Sequence, residues 1–114
     1  MQVARMVTGE VVFPASDKPG SAVVYVRVEE TSMADAPSRV VGESVLAPVE
    51  LPCRTMSFAV SVAMWDERAD YSVRVHVDHD QEGRVSTGDY ISTMTHPVLT
   101  HGHGDTVTVP VSPV

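Results

Sequence analysis

Residues 56–64 read MSFAVSVAM. Met56, Phe58, Val60, Val62 and Met64 fall on one parity, and Ser57, Ala59, Ser61 and Ala63 on the other. Side chains on a strand alternate between two faces, whereas a helix would scatter these residues around its axis, so the stretch is a strand with one apolar face. The same period recurs in three more segments. AVVYVRVEE (22–30) separates Val24, Val26 and Val28 from Val23, Tyr25, Arg27 and Glu29. YSVRVHVD (71–78) places Tyr71, Val73, Val75 and Val77 inside and Ser72, Arg74, His76 and Asp78 outside. DTVTVPV (105–111) alternates Val107, Val109 and Val111 with threonine and proline. Composition agrees: 23 of the 114 residues are valine, against three leucines and one isoleucine. Valine is stiff at χ1 and suits a pleated surface.

Turn chemistry divides the chain. FPASDKPGS separates a first strand, about Val3 to Val12, from the second, and TSMADAPS follows the second. A third strand, about Arg39 to Leu46, runs through Ala47, Pro48 and Val49 to the fourth. WDERAD closes the fourth and has room for one helical turn. HDQEG makes a hairpin corner ending at Gly83. RVSTGDYISTM loses its alternation at Gly88, which signals a bulge or a close backbone approach. Pro110 has no N–H to donate, so the last strand, about Asp105 to Val111, belongs at an edge. The fold class that follows is all-β: a single antiparallel β-sandwich of about seven strands, immunoglobulin-like in layout, with a small barrel as the alternative. No linker or repeat divides residues 1–114, which read as one domain.

The net charge is −7, and Lys18 is the lone lysine among scattered basic residues. Nucleic acid and anionic membranes both need a concentrated positive face, so neither is expected as a partner. Cys53 is the single cysteine and excludes an internal disulfide; LPCRT offers it only Arg54, so it reads as a half-buried structural thiol. No stretch approaches the ~20 apolar residues of a spanning helix. MQVARMVTGE carries neither an apolar leader core nor a small-residue cleavage site. The location expected is cytoplasmic if Met1 is the native start, and periplasm or cell envelope if a leader was trimmed ahead of it.

Three segments taken in order resemble a known family. Val7, Thr8, Gly9, Glu10 and Val11 match a VTG-x-V strand. Ser32, Ala34, Asp35, Ala36 and Pro37 match a D-x-S-x-ADAP segment. Pro97, Val98, Leu99, Thr100 and Gly102 match YPVLTRG. Together they resemble the YbaY family of bacterial lipoproteins, whose members include the YscW-type pilotins of type III secretion. The family's tyrosine is His96 here, its arginine is His101, and the lipid-bearing cysteine after a leader has no counterpart. The resemblance implies a transthyretin-like sandwich and a periplasm-facing accessory or binding protein without known chemistry. A pilotin role, escorting an outer-membrane secretin, belongs to one branch of it. Physically the matched letters are structural. Asp35 suits an Asx turn beside Pro37. Pro97 forces His96 to extended geometry. Gly102 and Gly104 supply φ freedom for the turn into the last strand, and an apolar anchor at Val98 and Leu99, on opposite sides if strand, ties the corner down.

Candidate chemistry is sparse. His101 and His103, spaced i, i+2, share one face if that piece is a strand, with Asp105 following. His76, His79, Asp78 and Asp80 form a second cluster. Zinc and copper sites need three or four ligands in fixed geometry, so both clusters are read as solvated histidines at strand ends, and no metal, cofactor or catalytic residue is expected. No GxSxG elbow and no fixed carboxylate pair points to hydrolysis. Met33, Trp65 and Met94 are candidates for a binding surface, with Trp65 alternatively packed over the open end of the sandwich. The expected function is a non-enzymatic, envelope-associated accessory or protein-binding module. The alternatives are a small metal-handling protein using His101 and His103, and a domain that self-associates through an edge strand.

Overall fold

The structure, a computed structural model, describes residues 3–15, 19–31, 38–51, 53–79, 84–85 and 87–114. The SMADAP segment, with Met33 and Asp35, and the 80–83 part of HDQEG lie outside the described residues. Among the described residues nine strands form: β1 Arg5–Val12, β2 Gly20–Glu30, β3 Arg39–Leu51, β4 Thr55–Val62, β5 Tyr71–Asp78, β6 Tyr90–Ile91, β7 Pro97–Val98, β8 Thr106–Pro110 and β9 Ser112–Pro113. They make two sheets, one in the order β4-β1-β8 and one in the order β3-β2-β5-β6-β9, with β7 also on β5. The sheets pack as a sandwich and do not close into a barrel.

The alternating valines meet between the layers. Val7 and Val11 of β1, Val24, Val26 and Val28 of β2, Val60 and Val62 of β4, and Val73, Val75 and Val77 of β5 are all essentially unexposed. Burying each is worth about 1.5–3 kcal/mol. Gly9 sits where β1 is squeezed from two sides. A Cβ there would lie 1.8 Å from the Val107 carbonyl oxygen and 2.9 Å from the Phe58 ring, which explains the glycine of the VTG motif. Gly42 does the same for β3, whose added Cβ would meet the Ser61 carbonyl at 2.7 Å where the two sheets touch edge to edge.

The structure departs from the sequence reading in several places. First, β3 continues to Leu51, because Pro48 falls in a bulge: Val24 pairs with Leu46 and Ala22 with Val49, so Ala47 and Pro48 together oppose Val23 and no N–H is required of the proline. Second, β1 and β8 run parallel, with Gly9 opposite Val107, while every other described pair is antiparallel. The chain reaches β8 by crossing between sheets, which is what permits this. Third, WDERAD makes a β-turn, not a helical turn. Ala69 N donates to Asp66 O at 3.0 Å, and Arg68 N to Asp66 Oδ1 at 2.9 Å. Fourth, Gly88 lies in a turn at φ 101 and not inside a strand, leaving only Tyr90 and Ile91 as β6. Pro110 is on an edge strand as expected, since β8 pairs with β1 alone. Met64 lies beyond β4 and is 82% exposed, outside the face its parity assigned.

Candidate functional site

The corner from β7 to β8 carries the histidine-rich motif. Leu99 has φ 74, and Thr100 N donates to Val98 O at 2.9 Å; together these make a γ-turn centred on a leucine, a strained conformation. The turn is held from all sides. Leu99 N donates to Gly104 O at 3.0 Å, and Thr100 Oγ1 to Ala69 O at 2.6 Å. Arg5 Nη1 donates to Leu99 O at 2.8 Å, while the rest of its guanidinium grips the Asp105 carboxylate. Val98, Leu99 and Thr100 are all buried. Val98 and Leu99 therefore both anchor the corner, since β7 stops before the parity rule could send them apart.

His101 and His103 lie outside this knot. His101 occupies the left-handed region at φ 57, followed by Gly102 at φ 85, so the piece is a turn and the shared strand face does not form. Both rings are exposed. His101 Nε2 faces Asp70 Oδ1 at 3.1 Å. Asp105, which could have completed a chelate, is committed to Arg5. Trp65 closes the same end of the sandwich. Its Nε1 donates to Val3 O at 2.9 Å, the Arg5 guanidinium stacks 4.8 Å from its ring centre, and it is half-buried against the core. Packing, not display, is its role. Met94 is 73% exposed.

Next along β5, burial runs against the alternation. Tyr71, Val73, Val75 and Val77 are inside as expected, but Ser72, His76 and Asp78, assigned outside, are buried too; Arg74 alone is exposed. The outer face is covered by the segment that carries β6 and β7. Ser72 Oγ accepts from His96 N at 2.9 Å, and Ser92 Oγ accepts from Val75 N at 3.0 Å. His76 stacks on Tyr25 with ring centres 5.7 Å apart, and its Nε2 lies 2.7 Å from Asp89 Oδ2. Asp89 Oδ1 accepts from His79 N at 2.9 Å. Asp78 and Asp89 have no exposed surface. Asp89 was not a candidate from sequence. Its one local signal is its place between Gly88 and β6, a junction that periodicity reads as a strand defect.

Two further histidines complete the picture. The His79 ring packs over Gly20, about 3.4 Å from where a Cβ would lie, and does not join His76. His96 has its Nε2 buried without a hydrogen-bond partner, and that desolvation lowers its pKa below the ordinary 6.5. Its carbonyl accepts from Val73 N at 3.0 Å, so the ring is held by its backbone.

A wide opening lies at the other end of the sandwich. Val12, Phe13, Pro14, Ala15, Cys53, Arg54 and Thr55 line a mostly apolar cleft of about 520 Å³. Phe13 N donates to Arg54 O at 2.9 Å and locks the β1 exit to the β3–β4 connection. Cys53 is half-buried, and its Sγ donates to Thr55 O at 3.1 Å, matching the structural reading of the thiol. No described helix is long and apolar enough to cross a membrane.

Comparison with known proteins fixes the family. The model of the type III secretion system lipoprotein chaperone (YscW) matches residues 2–111. Among solved structures, an alternative pilotin from the type II secretion system of Vibrio cholerae superposes with a TM-score of 0.74, covering 97% of this chain and 99% of that one at 19% identity. That identity makes the likeness one of fold. No curated protein matches the chain. The chain belongs to the YscW family of type III secretion lipoprotein chaperones.

Proposed function

We propose, from membership of that family, that the chain is a non-enzymatic accessory protein of a bacterial secretion apparatus, facing the cell envelope. It acts by binding another protein of that apparatus, for which an outer-membrane secretin is the partner class. The carrying observation is the family match across residues 2–111. The surface that suits the role is the wide, mostly apolar cleft between Phe13 and Cys53, which would take an apolar stretch of the partner chain. Among the described residues that line it, Arg54 is the charged one. The reading assigns no catalytic residue.

Co-expression with secretins encoded in the same genome, followed by size-exclusion chromatography with light scattering, tests both levels. A stable complex is expected, and Ala15→Arg in the cleft is expected to weaken it at least tenfold, while Met94→Glu leaves it unchanged. Absence of any complex would sink the accessory role. A complex indifferent to Ala15→Arg would move the docking surface elsewhere.

A second reading, self-association, rests on β3. It is a 13-residue edge strand with Val40 and Val45 about half exposed. A concentration-independent monomer mass by light scattering would remove it.

A further inference from the structure

The buried group on the outer face of β5 has the makings of a metal site, although the sequence alone gives no metal. We infer that His76, Asp78 and Asp89 form a binding site for a single divalent transition ion, with zinc as the best fit. Each residue offers one donor atom, and the three donors lie within 4.8 Å of one another. All three residues are buried, His76 at 5% exposure and both aspartates at 0%. One imidazole nitrogen and two carboxylate oxygens form a mixed N/O donor set that suits zinc and disfavours copper(I), which prefers thiolates and thioethers.

The distances are close to what an ion needs. Ligands about 2.1 Å from a tetrahedral ion stand roughly 3.4 Å apart. His76 Nε2 and Asp89 Oδ2 are 2.7 Å apart, so they would open by about 0.7 Å, and donors as far apart as 4.8 Å would close by up to about 1.4 Å. Such shifts are within rotation of an aspartate carboxyl about χ2, which is a broad torsion. The groups around the donors are those of a supported site. The backbone N–H of His79 fixes Asp89 through its other oxygen, and the Tyr25 ring fixes the plane of His76. His76 and Asp78 come from one face of β5, so their spacing is set by the sheet and not by a loop. An open cleft of about 200 Å³ is lined in part by His76, which makes that side of the cluster the one nearest to solvent. Two arginines on its wall, Arg27 and Arg74, are each paired with a glutamate, so the cleft is not a cationic barrier.

This site is distinct from the His101 and His103 corner, and the test separates the two. Untagged protein is titrated with zinc chloride alone by calorimetry. One ion per chain is expected, with a dissociation constant on the order of micromolar or tighter. Asp89→Asn and His76→Gln are each expected to weaken binding by about a hundredfold or more, since loss of mere outer partners already costs ten- to hundredfold. The double variant His101→Ala, His103→Ala is expected to keep it. Should the buried variants fail to fold, cobalt(II) added to the wild type gives the answer by NMR: amides of Tyr25, His76 and Ile91 broaden first. No stoichiometric binding, binding lost in the His101/His103 double variant, or broadening centred on residues 101–104 would each overturn the assignment.

Discussion

The β7–β8 corner and the outer face of β5 both bring histidine and aspartate together, and they are held by opposite means. At the corner the backbone does most of the holding, with the Arg5 and Thr100 side chains tying it to its neighbours. Leu99, Thr100, His103 and Gly104 exchange main-chain hydrogen bonds, and the side chains of His101 and His103 are left in water. On β5 the side chains do the holding. His76, Asp78 and Asp89 are shut in, and a carboxylate ties the start of one loop to the end of it. Histidines that sit close in sequence are thereby spread over a surface, while residues 13 apart meet in the interior. Donor spacing along the chain is a poor guide to convergence when the chain turns between the donors.

Asp89→Ala tests this contrast with the largest effect. It strips the acceptor from His79 N–H and from the His76 ring inside a dry site, and a loss of about 3 kcal/mol is expected. Asp105→Ala removes the matching carboxylate at the corner, where the Arg5 and Asp105 side chains keep 28% and 35% of their exposure. About 1 kcal/mol is expected there. Urea melts of the two variants should differ by the corresponding midpoint shift at unchanged slope. Equal losses would mean that the buried network carries no special weight.

Leu99 probes the corner itself. Its side chain is 4% exposed, so Leu99→Ala should cost about 2–4 kcal/mol. At an ordinary position glycine would be worse than alanine by about 0.5–1 kcal/mol. With φ at 74, glycine relieves strain that alanine retains, so Leu99→Gly should be no less stable than Leu99→Ala. Thermal melts of the pair decide it; a clearly less stable glycine variant would show that the γ-turn stores no strain.

What was legible follows from the same physics. The period-2 valines announced β2, β4 and β5 because alternation is a local consequence of the pleat, and the sandwich core is built from them. Pro110 announced an edge because a missing N–H is also local. The corner motif was legible as a corner through Pro97 and Gly102. Burial of His76 and Asp78 was not, because parity names the face of a sheet and not what later chain lays over it. The cover comes from residues 87–98, where strand signal is weakest and only two short strands form. The parallel pairing of β8 was hidden for the same reason, since it depends on a crossing between sheets that no local pattern encodes.

His96 extends the comparison to pH. The unfolded chain protonates this ring near 6.5, while the folded chain resists because the ring is desolvated. Below 6.5 the unfolded state therefore binds more protons, and this contribution to stability is complete above that value and drains away as pH falls through the lowered folded one. His96→Tyr, the residue the family resemblance places there, does not titrate in this range. Melting temperatures from pH 7.5 to 5 should decline less steeply in that variant than in the wild type. Parallel slopes would show that another group governs the acid side.

The smallest effect belongs to His101, and its sign is the informative part. The ring makes one exposed pair with Asp70 at 3.1 Å, worth at most about 0.5 kcal/mol. Its backbone sits at φ 57, which a non-glycine residue occupies at a cost of about 1 kcal/mol. His101→Ala removes the pair and keeps the strain, so it should be slightly destabilising. His101→Gly removes both, so it should be neutral or stabilising by up to ~0.5 kcal/mol. Denaturant midpoints measured side by side resolve a difference of that size. If both variants lose more than about 1 kcal/mol, the exposed histidine is doing more at this corner than its backbone requires, and the division between a backbone-held corner and a side-chain-held core would fail at its most exposed point.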